Sequence, residues 1–545
     1  MRRLAQLAAA TPAGRERYVD LLRALAIVLV VLGHWAVAAV GEDPAGRPTA
    51  RSALPDLPWA YPVTWAFQVM PVFFLVGGYA NAASLAAHRS RGGDAGGWLL
   101  ARSARLLRPT TTLVLVLTGA ALVAWAAGVS DTRIRTVVWF ATIPLWFLAA
   151  YLLVVPLTPV MVALHRRFGL VVPPVLAALV VAGDLGRALG PAQLALGNYL
   201  FGWLAVHQLG IAWREAGRPG REAGRPGREA GRPGREAGRP GREAGRPGRE
   251  AGRPGREAGR PGREAGRPGR EGGSPGREGA GRRLPTSRRA GSAALLGGLA
   301  ATVLLTAGPY PVSMLNVPGE RLDNAAPPSL ALLTLTTAQL GLILLLRGPA
   351  DRWLHRDRPW RLVIAVNAVV LTVFLWHLTA AILLVGALDA AHLLPTPPVG
   401  SAAWLAWRLP WVLLLAVVLA GLVAVFGPVE ARSGRRRRPV GAGRPHGDPP
   451  PGHRAPATTS AASRAERKPA ASRAGRGPAA GGRRRTVRAA LTVGGYLAVV
   501  CGLVINSQTP KEAAEPLGVP VPALVAYVAG AGALRLLRSG SGSRG

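Results

Sequence analysis

Residues 20–40 read DLLRALAIVLVVLGHWAVAAV, an apolar stretch of membrane-spanning length that carries an arginine and a histidine inside it. Arg23 and His34 are eleven residues apart. At about 100° per residue, eleven residues bring the side chains back to within roughly 20° of each other, ~16 Å apart along the axis. Asp20, three residues before Arg23, falls near the same stripe. Charged and titratable groups in hydrocarbon are costly, so such a stripe is expected to face a protein interior or a watery cavity.

Outside this stretch, charge and apolar residues are segregated along the chain. Its 545 residues are 49% hydrophobic, with a formal charge of +38. In a soluble protein that charge would suggest a nucleic-acid binder. Here the arginines cluster between apolar runs near the ~20 residues that cross a bilayer, which places the chain among polytopic membrane proteins. The expected spans are 21–40, 63–86, 110–128, 137–163, 168–185, 194–213, 293–309, 329–347, 361–386, 402–427, 489–506 and 519–537. The fifth is the weakest, because Pro173 and Pro174 interrupt it. A soluble helical protein would show amphipathic helices instead.

Basic segments recur at every second connection, at Arg89–Arg108, His165–Arg167, after Trp213, at Arg347–Arg361 and after Arg432. Twelve spans with both termini in the cytoplasm satisfy this pattern. The first span lacks a small-residue cleavage site and reads as retained. The single cysteine, Cys501, excludes an intrachain disulfide and a cysteine-based zinc cluster. No metal site is expected. Abundant Ala, Arg, Gly and Pro point to a bacterium with a GC-rich genome, hence to a multi-pass protein of the inner membrane.

Two interruptions carry no evident chemistry. From Arg214 the unit REAGRPG repeats eight times and then decays through REGGSPG. Its period of seven has no apolar seam, and each unit holds Pro and two Gly, so a coiled coil is excluded and disorder is expected. Regular Glu and the lack of aromatics argue against nucleic-acid binding. Residues 428–488, with RRRR at 435–438, read as a second disordered basic linker. The expected organisation is therefore 1–213, a first half of about six helices; 214–290, the repeat linker; 291–427, about four more helices; 428–488, the basic linker; and 489–545, a C-terminal pair.

Four motifs in order carry a family resemblance. YVDLLRALAIVLVVLGHW resembles the first helix of the acyltransferase-3 family of integral membrane O-acyltransferases, whose signature is Arg, ten residues, then His. MPVFFLVGGYANAASL at 70–85 is similar to the next motif, with Gly77-Gly78-Tyr79 where many members have Ser-Gly-Phe. The basic loop LLARSARLLRP resembles the family's cytoplasmic arginine motif, with Pro109 closing it. IPLWFLAAYLL at 143–153 resembles a Trp-x-Leu segment. The likeness extends over roughly residues 15–427. It implies an all-α, polytopic transmembrane bundle: a 10-helix acyltransferase core, here with about two further C-terminal helices and two disordered cytoplasmic basic segments.

The resemblance implies transfer of an acyl group, perhaps acetyl, from cytoplasmic acyl-CoA to a hydroxyl of a carbohydrate, glycolipid or other acceptor. Acyl-CoA is then a co-substrate, with no bound cofactor. The expected partners are the donor, a carbohydrate or lipid-linked acceptor and membrane lipids, and no nucleic acid. His34 is the candidate general base, since imidazole titrates near working pH. Arg23 is a candidate for positioning the donor, with Asp20 orienting it. Arg102, Arg105 and Arg108 suit the donor's phosphates, although the positive-inside rule alone also places arginines there. His377, in FLWHLTA, either shares proton handling and acceptor binding or serves helix packing. Trp35 and Trp376 read as packing residues. In the connection 310–328, Glu320, Arg321, Asp323 and Asn324 either meet a hydrophilic acceptor or form a solvated loop. The rival class is a secondary transporter of a small polar or acylated molecule. Against it, the Arg/His stripe occurs once and the two halves show no internal repeat.

Overall fold

The computed structural model describes residues 11, 15–42, 48–217, 283–315, 322–433, 478–510, 513 and 515–539. The REAGRPG block beyond Gly217, most of the basic linker, Glu320 and Arg321 lie outside these residues, and so do the expectations attached to them; Arg214–Ala216, the start of the first repeat, continue a helix.

Among the described residues the chain is mostly helical. The numbered helices are α1 (Arg17–Val37), α2 (Met70–Arg89), α3 (Ala95–Ala126), α4 (Asp131–Thr142), α5 (Leu145–Val154), α6 (Thr158–Phe168), α7 (Val172–Leu189) and α8 (Asn198–Ala216). Beyond the repeat block come α9 (Arg288–Thr306), α10 (Leu330–Leu354), α11 (Asp357–Ala368), α12 (Val370–Ala390), α13 (Ala402–Ser433), α14 (Pro478–Gln508) and α15 (Val521–Ser539). Directly after α1, strands β1 (Ala38–Glu42) and β2 (Pro48–Ser52) pair antiparallel as a small ribbon, with Val40 opposite Ala50. The ribbon is absent from the helical expectation because its strands carry no alternating apolar pattern.

Among the described residues, ten helical runs are long and apolar enough to cross a membrane, rather than the twelve expected. Two local features account for the difference. Leu145–Leu189 counts as one run of 45 residues, although Gly169, at φ 59°, ends α6 and lets a new helix begin. Helix α8 falls outside the set because Asn198, His207, Gln208, Arg214 and Glu215 lower its mean hydropathy, although most of the helix is buried.

Prolines fall differently from their expected role. Pro173 and Pro174 sit at the start of α7 instead of interrupting a span, since the first turn has no intrahelical partner for its N–H groups. Pro109 lies within α3 and does not close a loop, so Arg102, Arg105 and Arg108 are helical. The expected span 361–386 is two helices, divided at Val369, which has φ −132° and ψ 18°.

The interior is one large apolar cluster in which Phe74, Leu113, Leu148, Leu152, Ile211, Leu332 and Leu375 are fully buried. Helices α2 and α8 approach most closely. A Cβ on Gly78 would lie 1.9 Å from the His207 carbonyl oxygen, and one on Gly210 would lie 1.9 Å from that of Leu75. Only glycine permits that backbone contact.

Candidate active site

Helix α1 divides cleanly into two faces. Leu25, Val28 and Leu32 are exposed apolar residues on one side. Arg23 and His34 lie on the opposite side, and there His34 keeps an accessible surface while its neighbours Val31 and Trp35 are buried. A polar stripe accessible on the face turned away from the exposed apolar one lines an internal space rather than the bilayer.

His34 meets His377 of α12. His34 Nδ1 is 3.1 Å from His377 Nε2, and the rings stack with centroids 5.0 Å apart at 27°. His377 is fully buried, and its Nδ1 is 2.6 Å from the Phe374 carbonyl oxygen. A carbonyl can only accept, so His377 Nδ1 carries a proton. In the neutral ring, His377 Nε2 is then an acceptor, and His34 Nδ1 must donate to it. This leaves the lone pair of His34 on Nε2. Two further indoles hold the backbone here: Trp35 Nε1 donates to the His377 carbonyl at 3.1 Å, and Trp411 Nε1 donates to the Trp35 carbonyl at 3.2 Å. Trp376, by contrast, stacks on Phe426, 3.9 Å between centroids, and serves packing.

At the other end of the stripe, Asp20 is 7% exposed and holds two arginines, Arg15 at 2.6 Å and Arg23 at 3.1 Å. Asn367 Nδ2 donates to the Asp20 carbonyl at 2.8 Å, tying α11 to α1. The arginine motif splits. Arg102 points inward and donates from Nη2 to Tyr151 Oη at 3.1 Å, while Arg105 and Arg108 are exposed. Positions three and six residues on turn about 60° and 120° away around the helix, which removes them from the interior.

Tyr151 Oη in turn donates to Asn81 Oδ1 at 3.5 Å, and Asn81 Nδ2 is 3.3 Å from His207 Nε2. Asn81 and His207 are both fully buried. Tyr151, Asn81 and His207 were not among the residues expected from the sequence. An intramembrane histidine in α8 and an asparagine in α2 are the same kind of signal as His34, so they were there to be found. The departure from Ser at position 77 now has a physical context: a Cβ there would lie 2.9 Å from Tyr151 Cε2.

The connection before α10 is ordered by its own polar groups. Asp323 Oδ1 accepts from the backbone N–H groups of Ala325 and Ala326, and Asn324 Nδ2 donates to the Pro311 and Ser313 carbonyls. Asp323 is 8% exposed and Asn324 1%, so both side chains are turned in to these backbone groups. Asp184 anchors it, accepting from Tyr310 Oη at 2.8 Å and from the Leu330 N–H at 2.9 Å. Burial raises the Tyr310 phenol above its ordinary value, with Asp184 adding to the effect, so it stays a donor.

No group of three or more His, Cys, Asp or Glu is placed to hold a metal among the described residues. No curated protein and no solved structure matches the chain. The family model described as an acyltransferase domain, that of the acyltransferase-3 family, matches residues 16–427, well over half of the chain and the part that contains every residue of the stripe. With its apolar helices and that match, the chain belongs to the acyltransferase-3 family and is a multi-pass membrane acyltransferase.

Proposed function

We propose that the protein transfers an acyl group, acetyl in the simplest case, from acyl-CoA to a hydroxyl of a carbohydrate or lipid-linked acceptor, with His34 as the general base. The observation that carries this reading is the His34–His377 hydrogen bond, which leaves an unprotonated Nε2 on an accessible imidazole inside the bundle. His34 Nε2 takes the proton from the acceptor hydroxyl as its oxygen attacks the thioester carbon. A C–O bond forms, the C–S bond breaks, and the imidazolium returns the proton to the departing thiolate. His377 touches neither reactant; it accepts from Nδ1–H throughout and so fixes the orientation of the ring.

The donor enters from the cytoplasmic side in this reading, at the Arg23–Arg102 end of the stripe. Arg23 shares one carboxylate, Asp20, with Arg15, and Arg102 bonds the neutral Tyr151 phenol, so the site has positive charge to spare for an anionic donor. Guanidinium pairs hold phosphate oxygens through parallel hydrogen bonds. Arg105 and Arg108, on the exposed side of α3, are left to orient the protein in the membrane.

The test is thioester consumption by the purified full chain in lipid, with labelled acetyl-CoA, for wild type and His34→Ala. Loss of CoA release in the variant, with CoA binding retained, supports the base assignment. Equal release from both removes His34 from the mechanism, and a wild type that neither binds nor cleaves acetyl-CoA removes the donor.

A further inference from the structure

Helices α14 and α15 lie beyond the residues matched by the family model, yet they are fastened to the core. Tyr527 Oη and Thr111 Oγ1 are 2.9 Å apart, and Trp139 Nε1 donates to the Thr509 carbonyl at 3.3 Å. Where the C-terminal end of α14 passes α4, α5 and the start of α8, the elements do not close. They leave a half-open cavity of about 520 Å³, a size that accommodates a small organic ligand.

We propose that this cavity binds the acceptor, and that the acceptor is an uncharged, sugar-headed amphiphile. The inference rests on the acyltransferase reading above and names the substrate class for it. Its lining is chemically specific. Trp139 and Trp146 offer indole faces, which pack on the C–H face of a sugar ring and on an alkyl chain alike. Tyr199, Asn506 and Gln508 offer a phenol and two amides, groups that donate to and accept from hydroxyls. No Asp, Glu, Lys or Arg is among the described residues that line it, so the cavity itself offers no counter-ion; Arg135 and Glu515 line the adjoining hollow that shares Trp139, Thr142 and Asn506 with it.

A run of aromatic rings connects the cavity to the histidine pair. Trp146 packs on Phe147 with ring centroids 6.3 Å apart, Phe147 meets Phe374 edge-on at 5.1 Å, and Phe374 lies 5.9 Å from the ring of His377. Phe147, Phe374 and His377 thus stand in series between the cavity wall at Trp146 and the candidate base, His34. Aromatic side chains can turn about two torsions, so this series can part without moving a helix. Because α14 supplies Asn506 and Gln508, the C-terminal pair determines acceptor choice in a chain whose matched family region ends before it.

The test uses the full-length protein in phosphatidylcholine nanodiscs and an octyl glucoside analogue with a diazirine in its tail. Expected is labelling of the peptides around Trp146–Leu153 and Val504–Gln508, competed at least tenfold better by octyl glucoside than by octanol. Ala150→Trp, which fills the cavity, and Gln508→Leu, at its exposed rim, should each reduce that labelling several-fold. Val417→Trp, exposed on α13, should not change it. Labelling spread over all exposed helices, or indifferent to the competitor and to both cavity variants, overturns the proposal. CoA release from acetyl-CoA is followed in the same preparation. Saturable labelling without CoA release keeps the cavity and defeats the donor assignment; CoA release without saturable labelling defeats the cavity alone.

Discussion

His34 and His377 are 343 positions apart and share one hydrogen bond of 3.1 Å. The direction of that bond follows from the Phe374 carbonyl behind it, which fixes the proton on His377 Nδ1 and so the tautomer of both rings. Replacing His377 should therefore act through His34. His34→Ala is expected to lower acetyl-CoA turnover by about 10²–10⁴-fold. His377→Ala should cost less, leave the KM for acetyl-CoA unchanged, and move the acid limb of the kcat profile. Stopped-flow CoA release across pH distinguishes the two, and an unchanged profile in His377→Ala would show that the ring only packs.

Arg102 and Tyr151 predict a different signature. Arg102→Ala should raise the KM for acetyl-CoA by roughly tenfold or more, as expected for the loss of a charge-assisted contact. Tyr151→Phe removes only the phenol that holds Arg102 and should raise it less. Arg108→Ala, on the exposed side of the same helix, should leave it near wild type. Steady-state kinetics on the three variants checks the order.

Gly78 and Gly77 are neighbours with unequal tolerance. At Gly78 an added methyl meets backbone, the His207 carbonyl, which cannot yield without separating α2 from α8. Gly78→Ala is expected to destabilise by about 1–3 kcal/mol or more, the range for overpacked cores. At Gly77 the obstacle is the ring of Tyr151, which can turn aside. Gly77→Ala should lower the thermal midpoint less and raise the acetyl-CoA KM, because turning Tyr151 releases Arg102. Thermal unfolding in lipid, read beside that KM, separates the two.

Glu430 caps the helix that carries His377. Its carboxylate accepts from the backbone N–H groups of Leu371, at 3.0 Å, and Thr372, at 2.7 Å, and from Thr372 Oγ1, at 2.7 Å. These N–H groups belong to the first turn of α12, where no helical carbonyl serves them. Glu430→Ala should cost about 1–2 kcal/mol, as for loss of a helix cap. Glu430→Gln, which keeps one acceptor oxygen, should cost less. Denaturation midpoints in mild detergent measure both.

Deleting residues 221–269, seven whole copies of the repeat, should leave acetyl-CoA turnover within about twofold of wild type, since a charged, Pro- and Gly-rich unit buries no core. A loss of activity at equal expression would mean that the block does more than span a connection.

The sequence by itself determined the class of the molecule, its helices and one side of its site. Apolar length and arginine placement are local properties, and a bilayer reads them directly. The alignment of Arg23 with His34 needs only the pitch of a single helix, so it was legible before any neighbour was placed. Breaks at Gly169 and Val369 and the position of Pro109 inside a helix were not, because a span interrupted by a turn has the same composition as an unbroken one. Only the tertiary structure decided that His377 belongs to His34, that Arg102 alone of its motif turns inward, and that Asp323 and Asn324 build a loop. Each of these depends on which faces of distant helices meet. That outcome is set by close contacts such as Gly78 against His207, which depend on the whole packed bundle and leave no period in the chain.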